Sequence, residues 1–153
     1  MSDNSVEHLD VVVVGAGFAG MYAVYRANKD NRSVKCFEAG TDVGGTWYWN
    51  RYPGARVAIE CLEYSYSFDE ALQQEWEWPE RYAGQDEILS YAKHVAERYN
   101  LRDHIHFETR VESVIFNEET QRWEVKTNKG HHVSAKFCFM ATGLISAPVD
   151  PDF

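Results

Sequence analysis

The chain has 153 residues, of which 44% are hydrophobic and 25% are charged, and its formal net charge is −9. This length and composition predict one packed domain and argue against disorder, and the acidic balance argues against nucleic acid or an anionic membrane as a partner. Neither a bilayer-spanning stretch nor a signal-peptide pattern is visible, and the three cysteines are too scattered for a disulfide framework or a zinc motif. We therefore expect a cytoplasmic protein with reduced cysteines.

The first part of the chain predicts a strand, a turn, a helix and a second strand. Residues 9–14 are apolar and mostly β-branched, which is typical of a fully buried strand. A glycine-rich turn at residues 15–20 leads into a helix predicted over residues 19–28. A second strand is predicted over residues 33–37 and ends at Glu38. This order of elements indicates an α/β fold built on a parallel sheet.

The rest of the chain has a different pattern. Residues 40–79 carry Gly, Pro and most of the tryptophans without a clean period, so we expect long loops with short helical pieces and a functional cause for them. A helix is predicted over residues 86–99 and a short strand over residues 104–107. The remaining elements are predicted to be an antiparallel meander at residues 111–116, 123–127 and 131–134, a buried strand at residues 137–141, and a proline-containing linker at residues 148–153.

The turn at residues 15–20 has the pattern G-x-G-x-x-G in the context that a dinucleotide requires, after a strand and before a helix. Gly15 permits the tight turn, Gly17 lets a pyrophosphate approach the backbone, and Gly20 allows close packing of helix and strand. The helix N-terminus offers free N–H groups to the phosphates. Glu38 follows the second strand, where its carboxylate can accept hydrogen bonds from ribose hydroxyls. It would repel a 2′-phosphate, so the site favours FAD or NAD over NADP.

The next segment distinguishes FAD from NAD. Residues 44–56 have the sequence GGTWYWNRYPGAR. This run resembles the Baeyer–Villiger monooxygenases, especially those of the phenylacetone and steroid monooxygenase type. Shorter matches continue to Ala141, Thr142 and Gly143, so that the resemblance covers almost the whole chain. It implies a Rossmann-like FAD-binding domain of the glutathione-reductase class, with a parallel sheet and a small antiparallel meander.

The resemblance also implies a role for particular residues. The FAD pyrophosphate would lie against the first turn and the end of the last strand, at Gly15, Gly17, Phe18, Ala19, Gly20, Ala141, Thr142 and Gly143. The adenosine would be held by Glu38 and the backbone of Val111. The flavin side of the cofactor would lie against Gly45, Thr46, Trp47 and Tyr64. Arg56, Val57 and Ala58 would lie where the flavin domain of the family meets the nicotinamide of NADPH.

One position departs from the family pattern. The family usually has an aspartate two residues after the equivalent of Arg56, where this chain has Ala58. In the family that acid pairs with an active-site arginine supplied by another part of the enzyme. Glu60 would lie on the same side as Ala58 if this stretch is extended, but it matches a family glutamate and is not a simple relocation of the lost acid. The departure bears on oxygenation more than on FAD binding, and no residue of this chain is assigned a catalytic role.

The implied parent is an enzyme that uses NADPH and O2 to convert a ketone into an ester or lactone. A related N- or S-oxygenating flavin monooxygenase, or a non-catalytic FAD-binding fragment or subunit, remains open. The second glycine-rich loop for NADPH is not found in residues 1–153, nor is the later family signature F-x-G-x-x-x-H-x-x-x-W. We therefore expect residues 1–153 to be the N-terminal part of an FAD-binding domain, completed by a missing NADPH domain and closing segment or by a second chain.

The histidines suggest a metal site only weakly. His104 and His106 would alternate on a strand, and His131 and His132 would lie at a hairpin edge. Two histidines could ligate a metal, but no third ligand is evident. We therefore predict solvated histidines and no metal site.

Overall fold

The computed structural model describes residues 6–145 and residue 152. Its strands are β1 (Glu7–Val14), β2 (Val34–Phe37), β3 (Ile105–His106), β4 (Val111–Asn117), β5 (Arg122–Thr127) and β6 (His132–Met140). Its α-helices are α1 (Phe18–Lys29), α2 (Thr46–Trp49), α3 (Glu70–Glu75) and α4 (Gln85–Arg98), and 3₁₀ turns cover Cys61–Tyr64 and Leu101–His104. The predicted linker at residues 148–153 lies almost entirely outside the described residues.

The strands form one six-stranded sheet in the order β3-β2-β1-β6-β5-β4. Strands β3, β2, β1 and β6 are parallel, and β6, β5 and β4 form an antiparallel meander. Central strand β1 is buried on both faces, which explains its unbroken run of valines. Val11 and Val13 pack with α1 and α4, while Val12 packs on the opposite face with Phe37 and residues of β5 and β6. The predicted α/β fold with a parallel sheet and a small meander is confirmed.

The last strand differs from the prediction. The two strands expected at residues 131–134 and 137–141 are the single strand β6, which pairs with β1 along its length. Strand β5 pairs with β6 only at residues 132–135. The far half of β6 therefore has no described neighbour on the β5 side, and Phe137 and Phe139 are 52% and 51% exposed. The prediction that residues 137–141 form a buried strand was wrong in this respect.

The histidines also differ from the prediction. His104 ends a 3₁₀ turn, so it does not alternate with His106 on a strand. The ring of His106 packs 5.5 Å from Phe37 and 5.1 Å from His131, and His132 lies 2.9 Å from the carboxylate of Glu124. These rings are half-buried and contact other side chains because tertiary packing covers them. Among residues 6–145 and 152 there is no group of three or more side chains suited to a metal ion.

Residues 40–79 contain α2, a 3₁₀ turn and α3 between irregular segments, as predicted. Helix α1 begins at Phe18, one residue earlier than expected, and β1 begins at Glu7. No helix within the described part of the chain is long and apolar enough to cross a membrane.

Arg122, the first residue of β5, ties three strands together. Its Nη2 atom donates to the carbonyl oxygens of Leu9 and Ser134, each at 2.7 Å. Its Nε atom donates to the Ser134 hydroxyl at 3.0 Å. The guanidinium thus joins β1, β5 and β6 through hydrogen bonds made by a charged donor, which are stronger than neutral ones.

Replacement of Arg122 is expected to destabilise the fold. Arg122→Leu leaves two carbonyl oxygens without this donor, so the free energy of unfolding should fall by about 2–3 kcal/mol. Arg32→Leu is the matched control, because Arg32 is exposed and makes no side-chain bond in the described structure. Urea unfolding followed by circular dichroism measures both variants. Equal stability of the two variants would mean that the hydrogen bonds of Arg122 make no net contribution to the free energy of unfolding.

The packing of His106 makes stability depend on pH. Burial lowers the pKa of His106 below its ordinary value, and the nearby charges of Lys35 and His131 lower it further, while Glu7 opposes them. The unfolded chain therefore binds the proton more readily, and stability present above about pH 6.5 is lost as the pH falls through the lowered pKa. His106→Phe should lose less stability than the parent between about pH 7 and pH 5. His8→Phe, at an exposed position, should follow the parent, and an unchanged pH profile for His106→Phe would contradict the assignment.

Candidate functional site: a cavity at the carboxyl ends of the parallel strands

A cavity of about 970 Å³ opens where β1, β2 and β6 end. Open α/β sheets bind ligands at this edge, where the strand order changes direction. Here the change occurs at β1, which has β2 on one side and β6 on the other. The size is that of a typical cofactor or ligand cavity. Apart from Gly20, the cavity is lined by every residue predicted to bind a cofactor: Gly15, Gly17, Phe18, Ala19, Glu38, Gly45, Thr46, Trp47, Arg56, Val57, Ala58, Tyr64, Val111, Ala141, Thr142 and Gly143.

The first glycines are required by backbone geometry. Gly15 has φ +98°, and a Cβ atom there would lie 2.5 Å from the carbonyl oxygen of Ala141. Gly20 lies outside the cavity, and a Cβ atom there would lie 1.8 Å from the carbonyl oxygen of Gly15. Gly20 is therefore a packing glycine between helix and loop, which is the role that the motif gives it, and it does not face the cavity.

Gly17 lies against the glycine pair Gly44 and Gly45 at the floor of the cavity. The amide of Gly44 donates to the carbonyl of Ala16 at 3.0 Å, which holds the pair against the first loop. Gly45 has φ +53°, and a Cβ atom on Gly17 would be 3.4 Å from the Gly45 Cα atom. Gly17 is also the N-cap of α1, where no side chain caps the first turn and no acidic residue lies within it. Free N–H groups and the positive end of the helix dipole therefore point into the cavity.

Glu38 holds the loop as well as lining the cavity. Its side chain is 5% exposed, and its two carboxylate oxygens accept hydrogen bonds from the amides of Ala16 at 2.6 Å and Gly40 at 2.7 Å. A carboxylate can accept about four hydrogen bonds, so acceptor capacity remains for a ligand. The sequence indicated an acid for ribose hydroxyls, and the structure adds that the same acid fixes the phosphate-loop backbone.

An aromatic wall forms the other end of the cavity. Tyr64 contacts Phe18 and Trp47 edge to face, with ring centroids 5.6 Å and 5.7 Å apart. Burial raises the pKa of Tyr64, so its hydroxyl is protonated at neutral pH. The carbonyl of Trp47 accepts a hydrogen bond from the side chain of Gln85, which anchors α2 to α4. This end is apolar and fixed, in contrast to the polar end at Glu38.

Two ion pairs stabilise the loops at the mouth of the cavity. Arg56 donates to Glu80 at 2.7 Å and also to the carbonyl of Tyr82, while Arg81 pairs with Glu60. Ala58 is exposed and lines the cavity, but Glu60 does not. The backbone bends at residues 58–59, so the extended geometry that would have placed Glu60 on the same side as Ala58 does not occur. The carboxylate of Glu60 is already paired, and Ala58 leaves its part of the wall without an acid.

Sequence reasoning missed several lining residues, including Asn50, Thr109 and Arg110. The Asn50 amide donates to the carbonyls of Thr46 at 2.9 Å and Ile145 at 3.1 Å, which closes the rim over the end of α2. Asn50 lies within residues 44–56, the segment that carries the family resemblance, so the sequence could have identified it as a lining residue. Arg110 follows β3 across a loop, and only the folded chain brings this cation beside the cavity.

The fold and the cavity define a Rossmann-like dinucleotide-binding domain. The family model described as an NAD(P)-binding Rossmann-like domain matches residues 13–69. The chain is 44% identical to a Baeyer–Villiger monooxygenase of Pseudooceanicola batsensis, covering 94% of this chain and 27% of that protein. It is 39% identical to the phenazine N-monooxygenase of Lysobacter antibioticus, covering 99% of this chain and 28% of that protein.

The structural comparison agrees with the sequence. A solved structure titled oxidized steroid monooxygenase bound to NADP has a TM-score of 0.92 and 53% identity, covering 95% of this chain and 28% of that one. By sequence and structure, the chain is a homologue of the Baeyer–Villiger monooxygenases, as the resemblance implied. It spans about a quarter of the length of the relatives that it matches.

The two loop glycines should respond differently to a methyl group. Gly15→Ala forces a positive φ on alanine and a clash with the Ala141 backbone, so we expect a loss of about 2–4 kcal/mol in the free energy of unfolding. Gly17→Ala has an ordinary φ of −75° and a tolerable contact distance, so its stability should stay within about 1 kcal/mol of the parent. Urea unfolding measures the difference, and equal losses would show that the loop relaxes around both methyl groups.

Proposed function

We propose that this chain is the FAD-binding part of a longer NADPH- and O2-dependent flavin monooxygenase that oxidises a ketone to an ester or lactone. The observation that carries FAD binding is the glycine-lined floor of the cavity. Gly17 and Gly45 leave a path that a Cβ atom would fill, and it runs past the uncapped end of α1. Backbone N–H groups and a helix dipole favour a pyrophosphate at such a place.

The two ends of the cavity fit the two ends of FAD. Glu38 would accept hydrogen bonds from the adenosine ribose, and the backbone near Val111 would contact the adenine. The apolar surface formed by Trp47, Tyr64 and Val57 would receive the flavin ring. The chain's residues thus bind and orient the cofactor and exclude water from its ring, while the bound flavin would supply the redox chemistry with NADPH and O2.

The cavity mouth is the proposed meeting place with NADPH. Val57 is held by a hydrogen bond from its amide to the carbonyl of Ala83 at 3.1 Å, and the Arg56–Glu80 pair fixes the neighbouring residue. Ala58 adds no charge there. The acid that would hold an incoming arginine is therefore missing, which we expect to affect oxygenation more than cofactor binding.

Two alternatives depend on specific observations. Similarity to the phenazine N-monooxygenase is nearly as high as to the Baeyer–Villiger enzyme, so an N- or S-oxygenating parent is a second candidate. The open side of β6 fits a segment or second chain that completes the sheet, and without it the chain would be a non-catalytic FAD-binding module. NADPH oxidation upon addition of the remaining segment distinguishes an enzyme part from such a module, and the identity of the oxidised product distinguishes the two reactions.

Titration of FAD against the 153-residue chain tests the proposed function. We expect saturable but weak binding, with a Kd weaker than about 1 μM, because part of the sheet edge is open. Gly17→Ala should remove binding while leaving the fold intact, since its methyl group fills the pyrophosphate path. Glu38→Ala should weaken binding by about 1.5–3 kcal/mol, whereas Glu97→Ala, at an exposed acid of α4, should have no effect. Binding that is unchanged in both site variants would refute the assignment.

A further inference from the structure

A second, smaller cleft of about 520 Å³ lies beside the cavity. We call it the aromatic cleft, and it is lined by Phe18, Ala19, Tyr22, Ile59 and residues 63–68. Phe18, Ala19 and Tyr64 line both spaces and so form the wall between them. The proposed function uses the other side of this wall and gives the aromatic cleft no role.

The rings of the aromatic cleft are held in place before any ligand arrives. Tyr22 and Tyr66 lie 5.5 Å and 5.1 Å from Phe68, measured between ring centroids. The Tyr66 hydroxyl donates to the carbonyl of Phe18, and the Tyr66 amide donates to the Tyr91 hydroxyl at 2.9 Å. Tyr22 remains 42% exposed at the rim. A ligand would therefore meet a rigid aromatic surface.

The charge of the aromatic cleft has one sign. Glu63 lines it and is exposed, and its carboxylate makes no ion pair or side-chain hydrogen bond within residues 6–145. Nearby acids are engaged, since Glu60 pairs with Arg81 and Glu80 with Arg56. No lysine, arginine or histidine is among the described residues that line the cleft. Ring faces and a free carboxylate both attract positive charge, and the chain's net charge of −9 adds to the attraction.

We propose that the aromatic cleft binds a small organic cation carrying a quaternary ammonium group. One carboxylate is too few for a metal ion, which needs several ligands. An anion would be repelled by Glu63, and a neutral ring would gain nothing from it. A bulky ammonium group is stabilised by aromatic ring faces and by a nearby carboxylate that stays partly hydrated. The aromatic cleft offers both, through its rings and the exposed carboxylate of Glu63.

Benzyltrimethylammonium is a suitable probe, with benzyl alcohol and benzoate as neutral and anionic comparisons of similar ring size. Amide chemical shifts of the 153-residue chain, recorded at constant ionic strength, give the affinity and the location together. We expect the cation to bind at least fivefold more tightly than benzyl alcohol, benzoate not to bind, and the shifts to centre on residues 63–68 and Tyr22. Equal affinity for the neutral probe, or shifts centred elsewhere, would overturn the proposal.

Substitutions distinguish a cleft that binds through charge from one that binds only through apolar contact. Glu63→Gln should weaken cation binding at least fivefold, and Tyr22→Leu should weaken it by a similar factor while keeping an apolar rim. Glu112→Gln removes the same charge from exposed β4 and should change affinity less than twofold. Gly17→Ala should retain cation binding, so a failure of FAD binding stays separate from this test. The dispersion of the amide spectrum reports whether each variant is folded, and a folded Glu63→Gln variant with unchanged affinity would refute the assignment.

Discussion

The site depends on one close approach of backbone to backbone. Three segments converge at the ends of the parallel strands: the loop at Gly15 and Gly17, the pair at Gly44 and Gly45, and the end of β6 at Ala141. Two of these positions leave no room for a side chain, since Cβ atoms at Gly15 and Gly45 would lie 2.5 Å from the Ala141 carbonyl oxygen and 2.9 Å from the Gly17 Cα atom. Each segment is far from the others in sequence, so the contact forms only when the sheet is assembled.

Glu38 links this contact to the sheet. It directly follows β2 and accepts hydrogen bonds from the backbone amides of Ala16 and Gly40. A nearly buried carboxylate is tolerated because each of its oxygens accepts a hydrogen bond from a backbone amide. The same acceptors make the polar end of the cavity, so the residue that stabilises the loop also determines which ligand chemistry the loop can serve.

The irregular region after the glycine pair is held by α4 instead of by the sheet. Trp47, Val57, Cys61, Ala83 and Ile88 form a small core of their own, and the side chain of Gln85 anchors α2. The ion pairs at Arg56 and Arg81 fix the loop at its rim. A long segment with little regular structure thereby presents a rigid wall to one side and the aromatic cleft to the other.

The sequence by itself determined the order of elements, the glycine-rich loop, the acid after β2 and more than half of the cavity lining. These features depend on local backbone requirements and on a thirteen-residue run with a specific family resemblance. Only the tertiary structure decided how far side chains are covered. It joined the last two predicted strands into β6, left Phe137 and Phe139 half exposed, packed half-buried His106 against Phe37, and bent the chain at residues 58–59, before Glu60. These outcomes depend on where a neighbouring strand stops and where a loop bends, and such contacts between distant residues have no local signature in the sequence.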